Sequence, residues 1–298
     1  MHTEYVDKDT KQTLIAVAIV IVAVSAVLAG IYIASGVRPP QTVVVSDSMQ
    51  HGHQSNIGVI DTGDMIILKN KNNVEIVSFV EGYVKGHRAF GNYGDVIIYD
   101  RGANVNPVIH RAILWLEYNG DGTWSAPILA QYEKGGVKQW TCSVPTATPT
   151  RLSGTLTLYN MGAHNDLHPS INLDGLVAAG SPSGYLTMGD NNRYFDQLTS
   201  ISPGGLVSFE RINSVAWFEI PWMGVFKMIL DGNKADLDRY VPNSIPALTA
   251  MILLFVFVLV GISFLFDHRY YGKFRKELKN DMNAPAPSFR VEEKKEKR

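Results

Sequence analysis

The chain has 298 residues, with 27 Lys and Arg against 28 Asp and Glu, eight His and one Cys, and only 18% of its residues are charged. Soluble proteins carry about a quarter charged residues, so charge is missing from part of this chain. Two stretches, 14–35 and 247–266, contain no Asp, Glu, Lys, Arg or His. This composition excludes a wholly soluble protein, a disordered chain, a disulfide-stabilised miniprotein and a transporter with many helices.

Both uncharged stretches are long enough to cross a bilayer. At ~1.5 Å per residue, about 20 residues span a hydrocarbon core of roughly 30 Å as a helix. We therefore predict transmembrane helices over 14–35 and 247–266. A cleaved secretory signal is the alternative for the first stretch, because Lys8 and Lys11 precede it and small residues follow it. Its apolar run is about twice as long as a usual signal core, which favours an uncleaved anchor.

The charge distribution predicts the topology. Residues 267–298 hold ten Lys and Arg against six acidic residues, whereas 36–246 hold 15 basic and 19 acidic residues. Basic residues near membrane ends stay on the cytoplasmic side. We expect a cell-membrane protein with two spans in contact with the lipid bilayer, a cytoplasmic tail at 1–13, a basic cytoplasmic tail at 267–298, and an extracytoplasmic domain at 36–246.

The domain between the spans has the pattern of a β protein. Short runs rich in Val, Ile and aromatic residues are bounded by Gly, Asn, Asp or Pro, and no helical apolar period of useful length is present. The predicted strands are Val43–Val45, Met65–Leu68, Val96–Tyr99, Ile109–Leu116 and Thr155–Tyr159. The fold class is therefore mainly β, a membrane-tethered sheet or barrel. Residues 117–184 are rich in Thr, Ser, Pro and Asn and are a possible insertion.

Residues with catalytic potential follow the first span in separate blocks. Ser48 lies 13 residues beyond the span, so an extended chain of ~3.3 Å per residue keeps it within about 43 Å of the membrane surface. The blocks are Ser46-Asp47-Ser48-Met49, Gly63-Asp64-Met65, Gly94-Asp95-Val96, Ile109-His110-Arg111, and Gly189-Asp190-Asn191-Asn192 with Asp196 six residues after Asp190.

These blocks, in this order and after an anchor, resemble the type I signal peptidases. Bacterial members place a Lys where this chain has His110, whereas archaeal and endoplasmic-reticulum members place a His, so the chain is similar to the archaeal or ER type. The resemblance implies Ser48 as nucleophile and His110 as general base. It also implies an oxyanion hole from the Ser48 N–H and the Ser46 hydroxyl. The chain departs from the family at His51, where a Pro often stands.

The residue types suit acyl transfer. A serine hydroxyl needs a base within hydrogen-bond reach, and histidine, with an ordinary pKa of about 6.5, matches that task near pH 7. An imidazolium that forms needs a carboxylate to orient it. The resemblance favours Asp196 for this role and Asp190 for a supporting one, although the sequence alone does not rank them. His51 and His53 compete with His110 as the base, since they lie close to Ser48 in sequence.

No metal or cofactor is implied by this chemistry. His51-x-His53 and the pair His164 and His168 have spacings seen among metal ligands, but Pro169 and the surrounding Asn and Gly disfavour the helix that the second pair would need. We interpret these histidines as solvated loop residues. Phosphate-binding and dinucleotide motifs and basic aromatic patches are absent from the sequence, so a nucleic-acid partner is not expected.

The sequence therefore predicts a membrane-bound serine endopeptidase that removes signal peptides from secreted preproteins, which would be its partners. Two alternatives stay open. One is a catalytically idle accessory or binding subunit of a signal-processing complex. The other is a structural surface protein whose β domain displays residues 117–184. The sequence indicates no oligomeric state.

Overall fold

The computed structural model describes residues 2–102, 105–202, 205–261 and 264, with side chains described from residue 14 onward except at residue 16. The predicted basic tail at 267–298 lies outside the described residues. The chain divides into two compact units, Met1–Leu248 and Thr249–Arg298. The first unit contains all the strands that the structure describes and all the candidate site residues.

The described part of the chain is mainly β, as predicted. Its strands are β1 (Gln41–Val43), β2 (Met65–Asn70), β3 (Arg88–Ala89), β4 (Asn92–Tyr93), β5 (Val96–Tyr99), β6 (Val108–Tyr118), β7 (Trp124–Ser125), β8 (Glu133–Lys134), β9 (Val137–Lys138), β10 (Trp140–Cys142), β11 (Thr155–Leu158), β12 (Ser170–Asn172), β13 (Gly184–Met188) and β14 (Ile212–Ile220). Four of the five predicted strands overlap β2, β5, β6 and β11, and β5 has the predicted bounds. The fifth, predicted at Val43–Val45, shares only Val43 with β1, which lies earlier in the chain.

Seven strands form one antiparallel sheet in the order β1-β2-β14-β5-β6-β13, with β7 paired to β6. β1 and β13 lie at its two edges. A β-bulge occurs where β13 pairs with β6, between Leu186 and Thr187. Bulges re-aim side chains, and this one precedes the loop that carries Asp190.

The described helices are α1 (His2–Ser35), α2 (Phe79–Lys85), α3 (Leu173–Ala178), α4 (Val225–Leu230), α5 (Lys234–Tyr240) and an apolar helix over Ser244–Gly261. Four of these helices lie between the spans, where the sequence shows no helical apolar period of useful length. Helices α2 to α5 are too short to produce an apolar period, so local signals define them. For α2 these signals are a capping box between Ser78 and Glu81 and a left-handed Gly86 at its end.

Two helices are apolar and long enough to cross a bilayer, with spans at Val17–Ser35 and Ser244–Gly261. Helix α1 begins at His2, so the predicted tail 1–13 is helical from residue 2. The second helix begins three residues before the predicted start at 247. Asn243, directly before it, exchanges two 2.8 Å hydrogen bonds with the backbone of Ser55.

The stretch 117–184 has its own three-stranded sheet, β10-β11-β12, and a hairpin of β8 and β9. Its buried residues Trp124, Trp140 and Leu156 belong to the same apolar cluster as Leu114 of β6 and Leu186 of β13. The stretch therefore shares a core with the main sheet.

Candidate active site

The segment after β1 carries the candidate nucleophile. β1 ends at Val43, and the chain then turns, with Gln50 N donating to Asp47 O at 3.1 Å. Ser48 is half-buried and Ser46 is exposed. The Ser46 and Ser48 hydroxyl oxygens lie 3.3 Å apart. We refer to residues 46–51 as the nucleophile loop.

The structure brings Ser48, His110 and Asp196 together. His110 is buried on β6, with Nε2 2.9 Å from Ser48 Oγ and Nδ1 2.7 Å from Asp196 Oδ2. Of the three histidines considered as bases, His110 is the one that contacts Ser48. His51 instead contacts Asp190, with Nε2 2.9 Å from Oδ2, and His53 is exposed.

Asp196 lies at the start of a short 3-10 turn, Asp196–Leu198, and is fully buried. Its Oδ2 also accepts a 2.7 Å hydrogen bond from the Tyr99 hydroxyl, which itself accepts one from Thr187 Oγ1 at 3.3 Å. Burial raises the pKa of Asp196, but the adjacent His110 and the hydrogen bonds outweigh it and hold the pKa below its usual value. Burial raises the pKa of Tyr99, so its hydroxyl remains a donor.

Asp190 lies on the other side of β6 from Asp196. Consecutive strand residues point to opposite faces, and Arg111 follows His110 on β6. The Arg111 guanidinium forms a bidentate pair with Asp190, with Nε 2.7 Å from Oδ1 and Nη2 2.6 Å from Oδ2. Burial raises the pKa of Asp190, but the charge of Arg111 outweighs it and holds the pKa below its usual value. The geometry therefore separates the two carboxylates, because Asp196 contacts His110 and Asp190 contacts Arg111.

Gly189 lets the loop before Asp190 approach the nucleophile closely. A Cβ placed on Gly189 would lie 2.5 Å from Ser48 O and 2.9 Å from His110 Nε2. Such distances are shorter than any normal contact, so a side chain at this position would displace Ser48, His110 or both. The main chain of the next loop residues is also bonded to the nucleophile loop, with Asn191 N donating to Ser48 O at 2.9 Å.

A groove of about 920 Å³ opens beside Ser48. It runs along β1, which is an edge strand of the sheet. Apolar lining side chains are Val43, Val45, Met49, Leu68, Ile98, Val108, Ile109 and Ile201, and basic ones are Arg38, Arg101 and Lys227. Sequence reasoning did not identify these lining residues, because they come from strands and loops that meet only in the folded sheet.

Sequence reasoning missed a second group of carboxylates, of which Asp61 and Asp64 are buried and Glu219 is half-buried, although Gly63-Asp64 belongs to one of its motif blocks. Asp64 accepts from Asp61 N at 2.8 Å and from Trp222 N at 2.9 Å, and Glu219 accepts from Gly58 N. Burial raises the pKa of Asp64 to about 8 and that of Glu219 to about 7, and it raises the pKa of Asp61. We call Asp61, Asp64 and Glu219 the acidic cluster.

His164 and His168, the other histidines with metal-ligand spacing, are surface residues. His164 and His168 lie in an exposed turn, not a helix, and His168 Nδ1 accepts a hydrogen bond from Asn160 N at 3.4 Å. Among the described residues, no group of three or more His, Cys, Asp and Glu is arranged to hold a metal ion.

No protein-family model matches the chain, and neither the curated proteins nor the solved structures contain a significant match. The functional argument therefore depends on the site itself. A hydroxyl bonded to an imidazole, which is bonded in turn to an ionised carboxylate, is an arrangement that can perform nucleophilic acyl transfer.

Proposed function

We propose that this protein is a membrane-bound serine endopeptidase of the archaeal or ER signal peptidase type, which removes signal peptides from secreted preproteins. The observation that carries the proposal is the alignment of Ser48 Oγ, His110 and Asp196 through contacts of 2.9 and 2.7 Å. The motif blocks identified in the sequence supply each of these side chains. Their burial beneath an open groove suits a reaction on a bound chain.

The proposed mechanism assigns one role to each group. His110 Nε2 accepts the Ser48 proton as Oγ attacks the scissile carbonyl carbon, while His110 Nδ1–H donates to Asp196. The Ser48 N–H and the Ser46 hydroxyl would stabilise the oxyanion. The imidazolium then donates its proton to the leaving amine, and His110 next activates a water that hydrolyses the acyl enzyme.

The groove supports an extended peptide substrate. An edge strand such as β1 has free backbone groups with which an extended chain can pair, and alternate side chains of that chain would then point into the groove. The lining beside Ser48 is mostly apolar. Shallow apolar pockets select small residues by excluding bulk, as expected for the Ala-x-Ala-like sites that the family resemblance implies.

The domain segments next in sequence to the two apolar helices support a substrate held at a membrane. Gln50, in the nucleophile loop, donates to Tyr240 O at 3.2 Å, four residues before the helix Ser244–Gly261. Val37 and Arg38, just after α1, line the groove. Both chain segments that would enter the bilayer therefore leave the domain close to Ser48. The charge bias of the sequence places this domain on the extracytoplasmic side in our proposal.

The test uses membranes that contain the wild-type protein, Ser48→Ala or the matched control Ser200→Ala, an exposed serine whose hydroxyl makes none of the contacts described above. A preprotein is added, and any product is sequenced from its N-terminus. We expect the wild type and Ser200→Ala to cleave after a small residue and Ser48→Ala to be inactive. Ser46→Ala should lose roughly 10²- to 10³-fold in rate, the usual effect of removing an oxyanion donor.

Failure of folded, inserted wild-type protein to cleave several preproteins would contradict the proposal. In that case an accessory role in a processing complex becomes the better hypothesis. Cleavage that persists in Ser48→Ala would show that another residue, or a contaminating peptidase, performs the reaction.

A further inference from the structure

One histidine near the nucleophile has no role in the mechanism above. His51 lies three residues after Ser48, and its side chain is only 17% exposed. Its Nε2 is 2.9 Å from Asp190 Oδ2. Ser48 Oγ is bonded to His110 and not to His51, whose Nε2 is engaged by this buried carboxylate, so the base is assigned to His110.

The His51 ring and its partner are both held in place. A Cβ on Gly91 would lie 3.0 Å from His51 Cε1, so the ring packs directly against the Gly91 backbone. The Asp190 carboxylate cannot follow the ring, because Arg111 holds both of its oxygens at 2.6 and 2.7 Å. Arg111 is itself anchored, since its Nη1 donates to the carbonyl of Gly94 at 2.7 Å.

The same loop that carries Asp190 also holds the main chain of the nucleophile loop. Asn191 N donates to Ser48 O at 2.9 Å, and Asn191 Nδ2 donates to Asp47 O at 3.1 Å. The nucleophile loop is therefore attached at Asp47 and Ser48 through its backbone and at His51 through its side chain. Attachment at both ends limits rotation of the segment between them.

These contacts link both faces of β6 to the nucleophile loop. His110 contacts Ser48 from one face of the strand, while the next residue, Arg111, reaches His51 through Asp190 from the other face. We propose that His51 is a positioning residue for the nucleophile, which holds Ser48 Oγ at hydrogen-bond distance from His110 by bonding to Asp190. The inference deepens the proposed function and rests on it for the role of Ser48.

The effect of His51 should appear in turnover. A displacement of reacting atoms by about 1 Å can lower a rate by up to 10²-fold. We expect His51→Ala to lower kcat about tenfold with KM changed less than about twofold, because the groove does not include His51. His51→Gln, whose amide N–H can donate to Asp190, should recover most of that loss.

The matched control is His87→Gln. His87 forms the same kind of pair, with Nε2 2.7 Å from Asp95 Oδ1, but this pair is not one of the contacts that link β6 to the nucleophile loop. The His87→Gln protein should cleave preprotein at the wild-type rate. The inference is overturned if His51→Ala lowers the melting temperature but leaves kcat unchanged, which is the result of a merely structural role. It is also overturned if His51→Gln is as inactive as Ser48→Ala, which would indicate a base.

A second measurement needs no substrate. In a full-length Ser48→Cys, Cys142→Ala protein, the thiol next to His110 should ionise below the usual pH of about 8.5. The pH dependence of its alkylation by iodoacetamide reports this midpoint. Adding His51→Ala should move the midpoint upward by about half a pH unit or more, whereas adding His51→Gln should not.

An unchanged midpoint in the His51→Ala protein would overturn the positioning role. The two readouts also separate the proposals from each other. If the wild type cleaves no preprotein but the thiol midpoint responds to His51, the proposed function fails and the positioning role stands. If the wild type cleaves preprotein and neither readout responds to His51, the proposed function stands and the positioning role fails.

Discussion

Two groups of carboxylates lie beside the nucleophile loop, and they differ in whether an Arg or His side chain forms an ion pair with them. Asp196 has His110 at 2.7 Å, and Asp190 has Arg111 at 2.6 Å. The pKa of each of these two carboxyls lies below its usual value despite burial. Both are therefore negatively charged at neutral pH.

In the acidic cluster, backbone N–H groups donate to all three carboxylates, and the Ser55 side chain and the nearby His51 also favour the charged form of Asp61. Burial, which disfavours the charged form, outweighs these bonds and raises the pKa of Asp64 to about 8 and of Glu219 to about 7. Asp61 and Asp64 are as deeply buried as Asp196. The comparison teaches that burial alone does not decide the charge state in this protein, because a cation within contact distance reverses the direction of the shift.

The largest expected effect comes from removing the negative charge beside His110. Asp196→Asn should lower kcat by about 10⁴-fold while leaving the fold intact, since the amide can no longer stabilise the imidazolium or enforce the required tautomer. Preprotein cleavage kinetics and a melting curve measure the two quantities. If Asp196→Asn keeps more than about a tenth of the wild-type kcat, the Asp196 carboxylate is not needed for catalysis.

The equivalent substitution at Asp190, the other carboxylate paired with a cation, should lower the free energy of unfolding. Asp190→Asn leaves the fully buried Arg111 without its counter-charge, a loss that typically costs about 3–5 kcal/mol. Chemical denaturation of the variant in detergent measures this. Activity well below the fraction folded is also expected, because His51 loses its acceptor. A free energy of unfolding equal to that of the wild type would show that the ion pair contributes nothing.

Lowering the pH should change the stability contributed by the paired carboxylates Asp190 and Asp196 differently from that of the acidic cluster. The pKa values of Asp190 and Asp196 are lowered on folding, so their stabilisation is present above their unfolded pKa of about 3.9 and is lost as pH falls through the folded values. We expect a drop in melting temperature below about pH 4. The Asp190→Asn protein should show a smaller acid-dependent drop than the wild type. Equal drops would contradict the ionised state assigned to Asp190.

The smallest effect on stability is expected from the acidic cluster. There the charged carboxylate destabilises the fold, whereas the charged Asp190 and Asp196 stabilise it. The Glu219 pKa is raised on folding to about 7, so its contribution is present below the unfolded pKa of about 4.3 and is lost as pH rises through 7. Glu219→Gln should therefore melt at a higher temperature than the wild type at pH 8.5 and at a similar one at pH 4.5. Glu133→Gln, an exposed residue on β8, is the control. Identical wild-type and Glu219→Gln curves at both pH values would contradict the raised pKa.

Much of the candidate site was predictable because its residues occur in short local blocks. Ser48, His110 and Asp196 were named from such blocks, and the strand pattern located β5 at Val96–Tyr99 and most of β6. A run of Val, Ile and aromatic residues bounded by turn residues is a local property of the sequence, so it identifies a strand without knowledge of the fold.

The long-range contacts were not predictable in the same way. The ranking of Asp190 and Asp196 depends on which face of β6 each loop reaches, and a bulge near Thr187 contributes to that. The contact between His51 and Asp190 joins residues 139 positions apart, and the acidic cluster joins Asp61 to Glu219. No local pattern encodes such pairs, because they arise from the order of strands in the sheet.

The close approach at Gly189 has a consequence for how the protein tolerates mutation. Every amino-acid replacement at this position adds at least a Cβ, and that atom would overlap the backbone oxygen of Ser48. In a library that samples all twenty residues at each position, position 189 should therefore accept nothing but glycine, although glycine has no reactive group.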